Sequence, residues 1–388
     1  MSILRTPQFS AIALVCAAIL GLVAANSPLQ PVVSGLVGSH LPFEILGLDL
    51  SLGHFVTDGL LAIFFFLAAV ELKHELRHGE LDTLAKALVP TAAAAGGVIV
   101  PAVLFLLLVR EPGLRDGWPI PTATDIAFAL GILALVGRSL PSRVRALLLA
   151  LAVIDDLIAI VIIAIFFAGD LQWVPLVLAI PAVAVFRWLS YRTGGGRTGA
   201  LVHVAMVVFA VAAWVLVALS GVHPTIAGVA LGLALSSRSG VGIRHALEPY
   251  SNAIILPIFA FVATLVTIPD LTTTPLGPVF WGIIIALPVG KLIGITAGAL
   301  LASAATRADR TNRLPVGDLL VIACLGGIGF TVSLLMNELA FEQNPGVATE
   351  GTLGVIAASL IAVVLGGTAG GLRSRWYRGR AAGTALHL

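Results

Sequence analysis

The sequence predicts an all-α polytopic membrane protein of about twelve transmembrane helices, and three observations carry that reading. Of 388 residues, 59% are apolar and 11% charged, with a mean hydropathy of +1.06, a composition outside that of soluble globular chains. Apolar runs of roughly 17–25 residues, each long enough to cross about 30 Å of hydrocarbon as a helix, recur along the whole chain. Nineteen of the 22 Lys and Arg residues fall in alternate connections, which requires an even number of spans with both termini on the cytoplasmic side of the cell membrane. Residues 1–388 therefore read as a single transmembrane domain. A net charge of +2 gives no reason to expect a nucleic-acid partner. Cys16 and Cys324 stand far apart in apolar runs and suggest neither a disulfide framework nor a metal site.

The spans centre near residues 18, 65, 98, 128, 157, 181, 209, 229, 257, 290, 327 and 360. The first is read as a retained helix rather than a signal peptide. After it, the Pro/Gly content and short alternation of PFEILGLDLSLG (42 to 53) predict a small outer β-hairpin. The second span runs into ELKHELRHGELDTLAK, charged at helical spacing, which predicts a helix leaving the membrane with Glu71 and Glu75 on one face. The fourth, IPTATDIAFALGILALVG, is interrupted by Pro121 and the polar run Thr122 to Asp125. The fifth, LLALAVIDDLIAIVIIAIFF, holds Asp155 and Asp156 at its middle. His223 and Pro224 open the eighth, and Lys291 lies inside the tenth. The eleventh, LLVIACLGGIGFTVSLLM, is interrupted by Gly326, Gly327 and Gly329. Pro and Gly at such density weaken a helix. Interrupted segments at corresponding places in two halves of a chain predict discontinuous helices beside a midplane site, in inverted repeats covering about 86–168 and 278–371.

An ionised side chain at mid-membrane costs roughly 2.5–3.5 kcal/mol on insertion scales, so acids placed there face a cavity and mark an ion or proton path. Neighbouring helical residues point about 100° apart, so Asp155 and Asp156 divide their roles rather than grip one ion symmetrically. Two adjacent carboxylates in low dielectric also resist ionising together. Such a site takes protons or a hard cation. Sodium and lithium favour oxygen ligands, and Thr124 with carbonyls freed by the helix breaks could complete a shell. Asp125 sits where a break would expose helix ends, and would neutralise two N-terminal ends if they meet there. Lys291, one of three lysines, must pair with a buried acid or lose its proton. His223 reads equally as a packing residue or a proton sensor.

These residues resemble the NhaA family of sodium/proton antiporters. The likeness is carried by IFFFLAAVELKHEL (63 to 76), GVIVPA (97 to 102), GWPIPTATDIAFALGILAL (117 to 135), ALAVIDDLIAIVIIA (150 to 164), SGVHPTIAGV (220 to 229), LPIFAF (256 to 261), GKLIGI (290 to 295) and GGIGFTVSLL (326 to 335). The family is itself a known inverted-repeat fold. The resemblance implies an electrogenic, pH-activated antiporter that exports Na+ or Li+ for protons, works without a cofactor or catalytic residues, sits in the cell membrane among its lipids and forms a homodimer. It implies Asp156 as the main cation ligand, Asp155 as the second acid and partner of Lys291, Thr124 as a supporting ligand and Asp125 as charge compensator. Departures from the family pattern, FVATLVTIPD after LPIFAF, Leu292 after Lys291, and Arg244, His245 and Glu248 near 244 to 248, imply an altered pH response.

Rival readings fit less well. An intramembrane aspartyl protease needs its two acids on separate helices. A cation channel rings its pore with acids and does not set a lysine against them. A sodium-coupled symporter of an organic anion, the runner-up, needs basic lining beyond Lys291.

Overall fold

The computed structural model describes residues 6–40, 50–79, 81, 83–192, 196–270, 275–305 and 314–385. The chain is helical throughout: α1 (Pro7–Ala25), α2 (Gln30–Val37), α3 (Leu52–His54), α4 (Leu61–His78), α5 (Leu84–Leu108), α6 (Ile126–Val136), α7 (Ser142–Phe166), α8 (Trp173–Ser190), α9 (Gly196–Leu219), α10 (Thr225–Ala234), α11 (Ser237–Tyr250), α12 (Leu256–Ala263), α13 (Pro278–Ala305), α14 (Val316–Gly326), α15 (Phe330–Ala340) and α16 (Pro345–Ala385). A π-helical turn, Phe55–Leu60, joins α3 to α4, and a second, Ser251–Ile255, joins α11 to α12.

Among the described residues, ten helical segments are long and apolar enough to cross a membrane, and α14 with α15, bent by 45° at their break, make an eleventh. Every expected span has a helical counterpart, with one correction in length. The eighth, α10, has ten residues, about 15 Å of helix and too short to cross alone. Its last carbonyls are held by cations instead: Lys73 Nζ donates to Leu233 O at 2.7 Å and Leu235 O at 2.6 Å, and Arg187 to Ala234 O at 3.2 Å. Positive groups at a helix C-terminus satisfy orphan carbonyls and the dipole together. Most of the expected hairpin (42 to 53) lies outside the described residues. Within it, Ser51 forms an isolated antiparallel bridge with His40. Its expected end is corrected, because Leu52 and Gly53 open α3, where Ser51 Oγ accepts from the His54 N–H as an N-cap. The helix expected beyond the second span is present as the end of α4.

The chain divides into two compact units. The first comprises Met1–Val15, His78–Ala159 and Val266–Leu388; the second comprises Cys16–Arg77 and Ile160–Leu265. In the first, α5 and α13 meet at backbone contact. A Cβ on Gly96 would fall 2.2 Å from Gly294 O, and one on Gly298 2.1 Å from Ala92 O, so only glycine permits this approach. In the second, Val70, Phe186, Leu189, Met206 and Leu231 form a core, with Phe66 and Phe186 edge to face at 6.5 Å. Outward residues remain apolar, as Ile19, Leu201 and Val204 are on α1 and α9, which suits a lipid surround.

Candidate functional site

All the acids of the predicted ion site fall in the first unit, at a crossing of two broken segments. In the first segment the interruption extends beyond the expected break. The stretch before it forms two 3-10 turns, Arg115–Gly117 and Ile120–Thr122, not an α-helix. Pro119 and Pro121 have no N–H to give to a helical ladder, which explains the difference. Ala123 is extended, and Asp125 is the N-cap from which α6 starts. In the second segment Gly326 ends α14, Gly327 caps it, and Gly329 is the N-cap of α15. The segments touch. Asp125 N–H donates to Ile328 O at 2.6 Å, and a Cβ on Gly329 would lie 2.7 Å from Ala123 O. Cys324, half-buried in the last turn of α14, offers its carbonyl to the Gly327 N–H at 3.2 Å.

At this crossing two helix N-termini converge on Asp125. Its Oδ1 accepts from Phe128 N–H of α6 at 2.9 Å; its Oδ2 accepts from Thr331 N–H of α15 at 3.2 Å and from the Thr331 hydroxyl at 2.8 Å. A buried carboxylate thereby meets two positive helix ends and three donors at once. Ser333, two residues on, donates to Ile120 O at 2.6 Å and pins α15 to the first segment.

Asp155 and Asp156 lie in α7, 2% and 4% exposed, and Lys291 of α13 is fully buried. Lys291 Nζ is hydrogen-bonded and ion-paired to Asp155 Oδ2. Thr124 Oγ1 lies 2.5 Å from the same oxygen and 2.7 Å from Gly326 O, so its single proton has two acceptors. Asp155 Oδ1 is buried and has no hydrogen-bond partner among the described residues. Asp156 attracts Lys291 through space. The aliphatic stem of Lys291 passes Gly97 of α5, where a Cβ would come 3.6 Å from its Cδ. No cluster of three His, Cys, Asp or Glu side chains that could hold a metal occurs among the described residues. The donors gathered here are two carboxylates, a hydroxyl and main-chain carbonyls, a hard-oxygen set.

The residues expected to respond to pH are not gathered here; they lie in the second unit, in two places. Glu71 and Glu248 share Arg244, at 2.7 and 3.4 Å, while Glu75 is buried and His245 exposed. His223 Nδ1 meets the Thr225 hydroxyl at 2.7 Å and accepts from the Thr225 N–H at 3.4 Å, leaving Nε2 toward Asp58 Oδ1 at 3.5 Å. Sequence reasoning missed Thr331, Ser333, Asp58 and an ion pair between Asp318 and Arg373. Thr331 had a signal, since it follows a Gly-rich break where a helix must be capped. The pair had none, its members being 55 residues apart.

Comparison with known proteins agrees across the chain. The family model described as Na+/H+ antiporter 1 matches residues 1–369. Na(+)/H(+) antiporter NhaA 2 of Clavibacter michiganensis subsp. michiganensis is 51% identical over 393 aligned positions, covering 99% of this chain and 94% of that protein. Na(+)/H(+) antiporter NhaA of Tropheryma whipplei is 47% identical, covering 94% of each. That of Arthrobacter sp. is 41% identical over 97% of this chain and 86% of its own.

Proposed function

We propose a mechanism from one premise: this chain belongs to the Na+/H+ antiporter 1 family and exchanges Na+ for H+ across the membrane it spans. One site holds either the cation or protons and opens to one face at a time. Asp156, Asp155 Oδ1 and Thr124 Oγ1 ligate the cation, with a main-chain carbonyl of the crossing. Lys291 holds Asp155 when the cation is absent. Asp125 keeps the two N-terminal ends at the crossing neutral, so that the site charge is set by Asp155, Asp156 and Lys291. Coupling is competition: a bound cation displaces a proton from Asp156 and breaks the Lys291–Asp155 pair, freeing a proton from Lys291, and protons displace it in turn.

The observation that carries this reading is the division of labour within Asp155. Its Oδ2 is taken by Lys291 and Thr124, while its buried Oδ1 meets no protein donor among the described residues. A buried acceptor left without a partner costs about 1–3 kcal/mol, and a proton or cation supplies the missing contact. Asp156 and the Lys291 ammonium, freed from Asp155, can together release two protons for each monovalent cation bound, which favours unequal, electrogenic exchange.

The finer reading follows the same residues. The carrier takes Li+ as well as Na+ and needs no cofactor. It lies in the cytoplasmic membrane with both termini inside, as its Lys and Arg distribution favours. Residues 1–388 act as one transport domain with inverted repeats at about 86–168 and 278–371. Its exchange is pH-regulated through Glu71, Glu75, His223, His245 and Glu248, and it works as a homodimer. The test is Na+-induced proton flux in proteoliposomes across pH. Wild-type protein exchanges, and Asp155→Asn and Asp156→Asn each abolish exchange. Normal flux in either variant would overturn the mechanism.

A further inference from the structure

We propose that Asp318 and Arg373 form a latch that fixes α14 along its own axis, and thereby places the Gly326 carbonyl at the ion site. Asp318, in the first turn of α14, is fully buried. Its Oδ1 accepts from Arg373 Nε at 2.6 Å and its Oδ2 from the Tyr377 hydroxyl at 2.7 Å. The Arg373 guanidinium lies 4.0 Å from the centre of the Trp376 ring and 5.0 Å from that of Tyr377. These partners share one face of α16, spaced three and four residues apart. Room for the guanidinium comes from Gly317, where a Cβ would press within 3.2 Å of Arg373 Cζ.

What this arrangement does follows from the rest of α14. Between its ends the helix buries Leu319, Val321, Ile322, Ala323 and Leu325. Apolar contacts are non-directional and resist sliding weakly. Direction returns at the far end, where Gly326 O lies 2.7 Å from the Thr124 hydroxyl and, two residues beyond the helix, Ile328 O accepts from Asp125 N–H. The half-helix is thus tied at both ends by polar bonds, with Asp318 about 12 Å from Gly326 at the helical rise. Burying an ion pair gives little or no net stability over an apolar replacement. Its directionality sets an axial register that apolar packing alone leaves loose. Asp318 and Arg373 are positioning residues: they touch no transported ion.

The inference rests on the cation site proposed above, and the test separates the two. Asp318→Glu keeps the charge but advances the carboxylate by about 1.5 Å. In proteoliposomes it raises the KM for Na+ about fivefold while the maximal rate stays within about twofold, the signature of weakened ion binding without lost turnover. Tyr377→Phe, which removes one hydrogen bond, raises KM about twofold. Combining Asp318→Glu with Arg373→Lys, a longer acid against a shorter base, brings KM back toward wild type. Wild-type KM in the folded single variants, or additive losses in the double variant, would overturn the latch. If Asp318→Glu does not fold, Tyr377→Phe and Arg373→Lys decide by the same readout. Loss of exchange in Asp156→Asn beside wild-type KM in the latch variants refutes the latch alone; normal exchange in Asp156→Asn refutes the cation site.

Discussion

At the residue level, Asp125 shows how a charge becomes tolerable in an apolar setting. Its carboxylate accepts from Phe128 N–H, Thr331 N–H and the Thr331 hydroxyl, so its charge is spread over two helix starts. Asparagine there would turn an amide toward donors and withdraw the charge, and we expect Asp125→Asn to cost about 2–3 kcal/mol, seen as a lower melting temperature in detergent. The place of Asp125 was legible because a carboxylate interrupting an apolar run needs a counter-charge. Its partner Thr331 was missed despite following a Gly-rich break that needs a cap, since a threonine in an apolar stretch reads equally as packing. His223 gives a pH prediction. Burial pushes its imidazole down to about 4 from 6.5, even with Asp58 Oδ1 3.5 Å from its Nε2. A folded-state value below the unfolded one means the folded chain binds fewer protons between them. Its contribution to stability is therefore complete above about pH 6.5 and lost as pH falls through about 4. Melting temperature against pH should show this acid slope in wild type and a shallower one in His223→Gln.

Among elements, the contact of α5 with α13 is the tightest constraint on the site. It sets the course of the helix that carries Lys291, because the Gly96 and Gly294 backbones meet with no side chain between them. A methyl at Gly96 would strike main chain, which cannot rotate away. We expect Gly96→Ala to destabilise by about 1–3 kcal/mol through overpacking, measured by thermal unfolding in detergent. The apolar lengths of these helices, and both breaks, were visible in the chain because hydropathy and Gly/Pro content are local properties. The 3-10 form of residues 120–122 and the shortness of α10 were harder to foresee. The first depends on two missing proline donors. The second depends on Lys73, more than 150 residues earlier, ending the helix at its carbonyls.

For the whole molecule, the proposed release of two protons, from Asp156 and Lys291, for one monovalent cation would move net charge across the membrane. We expect a negative interior potential to speed Na+ export, since protons entering in excess carry positive charge inward, and each net charge gains about 2.3 kcal/mol per 100 mV. Equal rates with and without an imposed potential, in vesicles clamped by a potassium ionophore, would reject that expectation. The positions of the site residues were readable because acids and a lysine stand out in apolar sequence, and the resemblance implied the pairing of Lys291 with Asp155; the bonds of Thr124 to Asp155 and Gly326 were not readable, because they join separate stretches. Cys324 adds a practical consequence. With its thiol half-buried in the final turn of α14, beside the crossing, the native chain already contains a chemical reporter. With Cys16 replaced by serine, the rate of maleimide labelling at Cys324 would register the packing of that turn, and a change on adding Na+ would track occupancy in real time without any introduced label site.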